Sequence, residues 1–238
     1  LEAPPADRYP VQTFVMEHSN AIIDDAIRRE IARGGQVYYL HNRVETIEQC
    51  ASALTKRIPG LSVEVAHGKM SQEQLSEAWK DVVEGKTDVL VCTTIIETGV
   101  DIPNANTLVI ENADRFGLSQ LHQLRGRVGR GAEQSYCLLL TDHKITGEGK
   151  KRMETMVRTN DGFEIAEADL QLRGPGETQG TRQSGMIEMK MGDFTKDEPI
   201  IRHTRRMVNL LLDSDPTLSK PEHQITKDFF NKNFANGF

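Results

Sequence analysis

Short apolar runs alternate with amphipathic segments along most of this 238-residue chain, and that rhythm constrains the fold more than any other feature. Residues 11–16, 36–40, 62–66, 88–92, 108–110 and 136–140 are short and β-rich, several of them almost continuously apolar. Between them lie stretches with apolar residues at helical spacing. Within 21–32, Ile22, Ile23, Ala26, Ile27 and Ile31 recur on one side, Ser19 offers an N-cap, and Gly34-Gly35 closes the helix. Residues 44–57, 71–84 and 118–125 repeat the pattern. A strand with one wet face alternates apolar and polar residues, whereas a continuously apolar strand needs cover on both sides. The pattern therefore predicts an α/β fold, a parallel sheet with helices on both faces.

The rhythm stops after residue 141. Residues 1–10, with Pro4-Pro5, read as a linker, and 11–142 as one α/β domain. Residues 143–190 form a smaller, mainly helical hairpin and loop extension. Its helical segments lie at 147–158 and 162–172, before Arg173-Gly174-Pro175-Gly176 interrupts. The last part, 191–238, is a helical extension, with a candidate helix at 197–213, and a polar tail.

Composition removes several classes. No stretch approaches the ~18 apolar residues of a membrane span, and the N-terminus lacks a basic-then-apolar signal pattern. Cys50, Cys92 and Cys137 are isolated and odd in number, without CxxC or Cys/His ligand spacing. That argues for reduced thiols in a cytosolic protein, and against disulfides, zinc or any other metal-ligand set. A net charge of −6 argues against a generally basic nucleic-acid binder, but the charge is segregated. Residues 117–130 carry three arginines and no acid.

Two segments follow strands where open α/β sheets bind ligands, at the carboxyl ends. The first is Thr93-Thr94-Ile95-Ile96-Glu97-Thr98-Gly99-Val100-Asp101-Ile102-Pro103. Hydroxyls and amides at a strand end suit phosphate oxygens, and an acid beyond a glycine suits sugar hydroxyls. An ordinary turn whose threonines cap a short helix fits equally well. The second is Gln120-Leu121-His122-Gln123-Leu124-Arg125-Gly126-Arg127-Val128-Gly129-Arg130-Gly131. Arg127 and Arg130, three apart, face one way on a helical turn, and two guanidinium forks aimed at one point suit a polyphosphate. With no local acid, the cluster implies an anion; the alternative is a solvated basic turn.

Together the two segments resemble motifs V and VI of superfamily 2 helicases and translocases, in the branch of RecG and the transcription-repair coupling factor (Mfd). Ala66-His67-Gly68-Lys69-Met70 resembles that family's DNA-contacting turn. Residues 9–14 and 33–45 look like the coupling factor, whereas 159–170 and Arg173-Gly174-Pro175-Gly176-Glu177 look like RecG. The resemblance implies a RecA-like second motor lobe followed by a TRG-type coupling element. It implies catalytic roles for Arg127 and Arg130 at the γ-phosphate, with Gln123 coupling that site to DNA. Gly99 and Asp101 would lie near the ribose of ATP. His67, Gly68, Thr93 and Thr94 would hold a DNA strand's phosphates, and Arg158, Arg173, Arg182 and Gln183 would serve hairpin packing and DNA contact. The implied cofactor is ATP, with Mg²⁺ supplied mainly by the N-terminal lobe. The implied partners are double-stranded or branched DNA, that N-terminal RecA-like lobe and, for a coupling-factor role, RNA polymerase, in the bacterial cytoplasm at the nucleoid and without a membrane.

A complete motor also needs a phosphate-cradling G-x-x-x-x-G-K-[ST] loop, which the chain lacks. Gly147-Glu148-Gly149-Lys150-Lys151 misses the upstream glycine and the final hydroxyl, and Asp197-Glu198 has no apolar strand before it. The chain alone is therefore expected not to hydrolyse ATP. A non-enzymatic DNA- or protein-binding module is the alternative, while a dehydrogenase is disfavoured by the missing G-x-G-x-x-G. Trp79 reads as packing rather than a base-stacking platform, and His122 as a cleft or helix-packing residue. Arg202, Arg205 and Arg206 read as a solvated helix face, with DNA contact the lesser reading.

Overall fold

The computed structural model describes residues 9–98, 101–173, 206–208, 210, 213–215, 217 and 219–223. Most of the 1–10 linker and of the 197–213 helix, together with Gly99, Arg182, Gln183, Arg202 and Arg205, falls outside the described residues. Two compact units are present, Leu1–Glu177 and Thr178–Phe238.

The first unit is built on six strands: β1 (Gln12–Glu17), β2 (Gln36–Leu40), β3 (Val63–Ala66), β4 (Val89–Cys92), β5 (Ala105–Ile110) and β6 (Tyr136–Thr141). They lie in the order β1-β6-β5-β2-β4-β3, and every neighbouring pair is parallel. β2, β4 and β5 are buried at every residue, as their largely apolar composition predicts, with Gln36, Asn106 and Thr107 as buried polar exceptions. Successive side chains go to opposite faces. Val37 and Tyr39 join Ile23 and Ile27 of α1 (Asn20–Ala32) and Ala51 and Leu54 of α2 (Ile47–Arg57) on one face. Tyr38 and Leu40 join Val82 of α3 (Gln72–Val83) and Leu121 and Leu124 of α4 (Leu118–Arg125) on the other. Met153 and Met156 of α5 (Gly147–Arg158) and Ile165 of α6 (Gly162–Arg173) belong to this second core. The fold is thus a parallel α/β sheet with helices on both faces, as the resemblance to a RecA-like lobe implies.

Local chemistry explains where the elements begin. Ser71 starts α3 with a full capping box, its hydroxyl accepting from the Gln74 N–H while the Gln74 side chain accepts from the Ser71 N–H. Ser19 holds the N-cap position of α1 with extended backbone, but its side chain makes no cap bond. β5 starts at Ala105, earlier than its apolar run at 108–110 suggests. Asn106 and Thr107 are buried in the strand, and the Thr107 hydroxyl donates to the Glu30 carboxylate at 2.5 Å. Glu30, only 1% exposed, is also bound by Arg33, which donates to the Gln134 carbonyl at 2.6 Å and lies over the Tyr136 ring. Buried Glu30 and its partner Arg33 fasten α1 to β5 and to the loop before β6. It also explains Gly35, where a Cβ would fall 1.8 Å from a Glu30 oxygen.

In the second unit, Asp215 accepts from the backbone N–H groups of Ser219 (2.9 Å) and Lys220 (2.8 Å) and pairs with His223 (2.8 Å). The Lys220 N–H, then His223, hold its carboxyl well below the usual range. Among the described residues no helix is long and apolar enough to cross a membrane.

Candidate functional site

The carboxyl ends of β3 and β4 lie side by side, with Ala66 in register with Cys92. The residues one step further, His67 and Thr93, therefore emerge together, and the Thr93 N–H donates to the Ala66 carbonyl at 3.2 Å. His67 begins a tight turn: the Lys69 N–H donates to its Nδ1 at 3.2 Å and the Met70 N–H to its carbonyl at 3.1 Å. Gly68, at the tip, is exposed and faces open space. Thr93 is 8% exposed and Thr94 half-buried, opening a single 3₁₀ turn, Thr94–Thr98. The Thr94 N–H donates to Asn42 Oδ1 at 3.4 Å. Asn42, in the loop after β2, is a member of this group to which sequence reasoning gave no role, although it lies within the coupling-factor-like segment 33–45.

Asp101, in the loop between β4 and β5, is the meeting point of the two arginines. Arg130 Nη1 pairs with Asp101 Oδ2, and Arg127 Nη1 lies 3.8 Å from Asp101 Oδ1. The convergence has a different cause from the one expected. α4 ends at Arg125, so Arg127 and Arg130 sit in the turn beyond it, not on a helical face. Gly129 takes φ +80° there, and its N–H donates to Ser135 Oγ at 2.9 Å. A Cβ on Gly131 would lie 2.6 Å from the Pro103 carbonyl, so the ends of the two segments touch through backbone. Gln120 Nε2 to Glu97 Oε1, at 3.1 Å, makes a second link between them. The expected absence of a neighbouring acid is also corrected: Asp101 supplies it from a distant part of the chain.

Arg125 departs furthest from expectation. It is not part of a basic surface strip but 3% exposed, donating to the carbonyls of Met156 (2.6 Å) and Thr159 (2.9 Å) and to Thr13 Oγ1 (3.2 Å). Burial pulls its pKa down from the ordinary guanidinium value. One side chain thus joins α4 to β1 and to the junction of α5 and α6.

Gln123 is exposed on α4, and Arg173, at the end of α6, pairs with Asp169 at 3.0 Å. Arg158 lies 3.9 Å from Glu164. Trp79 packs partly buried against the second core. His122 packs beneath α6, where a Cβ on Gly162 would lie 2.9 Å from its Nε2. Burial first, then Arg125, lowers its pKa, so the folded lobe holds it neutral. A histidine with a depressed folded pKa destabilises the fold once pH drops through the unfolded value of about 6.5. The wild-type chain is expected to lose stability in urea titrations below that pH, and His122→Asn to lose less; equal losses would rule this out.

With this geometry in view, similarity to known proteins becomes informative. Residues 18–132 match the helicase conserved C-terminal domain, and 159–232 match domain 3, C-terminal, of the ATP-dependent DNA helicase RecG. The chain belongs to the superfamily 2 helicases, in the RecG and coupling-factor branch. The transcription-repair-coupling factor of Escherichia coli (strain K12) is 49% identical over 193 residues, 79% of this chain and 17% of its own length. That of Bacillus subtilis (strain 168) is 48% identical over 193 residues, 79% of this chain and 16% of its own. A structure of RecG bound to a three-way DNA junction superposes with a TM-score of 0.66 at 38% identity, covering 84% of this chain and 26% of that one. This helicase lobe therefore spans about a sixth of the length of those coupling factors.

Proposed function

We propose that this lobe is the C-terminal half of an ATP-dependent double-stranded DNA translocase acting in repair or recombination. Arg127 and Arg130 reach the γ-phosphate of ATP held between this lobe and an N-terminal RecA-like lobe, and Gly99 and Asp101 lie at the ribose. Two guanidinium forks stabilise the charge that develops as the phosphoryl group transfers. The N-terminal lobe supplies the phosphate cradle and most Mg²⁺ contacts. His67, Gly68, Thr93 and Thr94 hold phosphates of one DNA strand, and Gln123 carries the nucleotide state toward them. Arg173, Arg182 and Gln183 contact duplex DNA from the extension, in the bacterial cytoplasm. The observation that carries this reading is the meeting of Arg127 and Arg130 at Asp101, in the loop that begins with Thr93 and Thr94.

The similarity to the RecG structure bound to a three-way junction supports branched DNA as substrate, and RNA polymerase is proposed as a further partner on the resemblance to the coupling factors. Phosphate contacts are independent of sequence and dependent on salt, with log affinity falling by roughly 0.9 per contact for each unit of log salt. Fluorescence anisotropy of the chain on labelled duplex and three-way junction DNA is expected to show that slope for several contacts. Thr94→Asp is expected to weaken both substrates alike, since the turn reads backbone and not bases. Binding that ignores salt, or that follows base sequence, would reject the DNA role.

A further inference from the structure

Glu111 gathers His41 and Cys50 at the carboxyl end of the sheet, and none of the three belongs to the surfaces assigned above. Leu40 of β2 is in register with Ile110 of β5, so His41 and Glu111 emerge next to each other. Their backbones are held, the His41 N–H donating to the Cys92 carbonyl (2.9 Å) and the Glu111 N–H to the Leu40 carbonyl (3.1 Å). His41 Nδ1 lies 2.5 Å from Glu111 Oε2, and Cys50, from α2, brings Sγ to 4.0 Å from Glu111 Oε1. One ligand atom from each of the three lies within 4.8 Å of the others. A cavity of about 270 Å³ opens beside them, and His18 is part of its wall.

We propose that His41, Cys50 and Glu111 bind a divalent transition-metal cation of the zinc type, with His18 or water in the fourth position. The donor set decides the class: thiolate, imidazole and carboxylate suit Zn²⁺, whereas Mg²⁺ and Ca²⁺ take oxygen ligands. Charge balances as well, because thiolate and carboxylate together offset the dication, and binding releases the Cys50 thiol proton to solvent. Tetrahedral bonds of about 2.0–2.3 Å put ligand atoms roughly 3.3–3.8 Å apart, so side-chain rotations close the site without moving a strand. The supporting contacts are present too. Thr46 Oγ1 lies 2.7 Å from His41 Nε2, where it accepts from Nε2–H once Nδ1 is a ligand, and the Tyr39 hydroxyl donates to Glu111. Metal-binding histidines and carboxylates are ordinarily oriented by such partners. A bound cation would tie α2 to the ends of β2 and β5, next to Asn42 and its bond to Thr94.

Co²⁺ added to the metal-stripped 238-residue chain is expected to give a thiolate-to-cobalt charge-transfer band and tetrahedral d–d bands, saturating at one equivalent and bleached by Zn²⁺. Cys50→Ser should abolish the charge-transfer band and weaken Zn²⁺ by at least about 100-fold, since even an outer partner is worth roughly 10–100-fold. Glu111→Gln and His41→Gln should weaken it without removing the thiolate. No such band, or a band that survives Cys50→Ser, overturns the proposal. A readout on the wild-type chain guards against misfolded variants: Zn²⁺ should slow maleimide labelling of Cys50 by roughly tenfold or more. Cys92 and Cys137 are fully buried and do not compete for the reagent. Labelling unchanged by Zn²⁺ also overturns it.

Discussion

Arg125→Ala is expected to cost the chain roughly 2–4 kcal/mol of unfolding free energy. The substitution removes donors from two carbonyls, of Met156 and Thr159, and from the Thr13 hydroxyl, and leaves a void in a buried site. A buried acceptor left without a partner costs about 1–3 kcal/mol. Relief of the arginine's own desolvation offsets part of that loss. The lost hydrogen bonds prevail because three acceptors depend on one guanidinium. Arg125→Met fills the space without the donors, so it should recover the packing part and stay well below wild type. Arg125→Lys offers one charged centre in place of a planar fork and should fail to bridge both carbonyls. Urea titration of the three variants orders them; a methionine variant as stable as wild type would show that packing alone matters. The functional consequence is separate from stability. Arg125 joins α4, which leads into Arg127 and Arg130, to the α5–α6 junction, so a folded variant should lose communication between nucleotide and extension.

The outcome for Arg125 also marks where sequence reading stops. Apolar strands announce themselves, because a parallel sheet covered on both faces leaves few alternatives for runs such as Val89-Leu90-Val91-Cys92. Polar residues inside such a sheet do not: Thr107 lies outside the apolar run at 108–110, and only its bond to Glu30 accounts for its burial in the strand. The pairing of Arg127 and Arg130 was legible from their glycines and spacing, but not its cause. A positive-φ turn at Gly129 and an acid from the loop after β4 create it, and local spacing records neither. The same blindness applies to His41, Cys50 and Glu111. Rules for metal sites look for ligands a few residues apart, whereas here adjacent strand ends and a crossing helix bring them together. A residue's sequence neighbours say little about its role when sheet register supplies its partners.

Arg127→Ala and Arg130→Ala are each expected to lower ATP turnover by about 10³-fold or more once the lobe is joined to its N-terminal partner, the range for arginines at a transferring phosphoryl group. The loss should fall on turnover and leave the lobe's DNA affinity nearly unchanged, because the bonds that hold the His67–Gly68 and Thr93–Thr94 turns involve neither arginine. Arg127→Lys should recover little, since a single ammonium cannot reproduce a bidentate fork. Asp101 supplies an independent check of opposite sign. Its carboxylate pairs with both guanidiniums, so a triphosphate must compete with it. Asp101→Asn removes the carboxylate charge that competes for both forks and should tighten the lobe's binding of a triphosphate, while any loss of ribose contact should appear as weaker discrimination between ATP and a ribose-free triphosphate. Steady-state turnover with fluorescent-nucleotide titration separates these effects. If both alanine variants turn over ATP at the wild-type rate, Arg127 and Arg130 serve only to hold Asp101, and the nucleotide must be met by other residues.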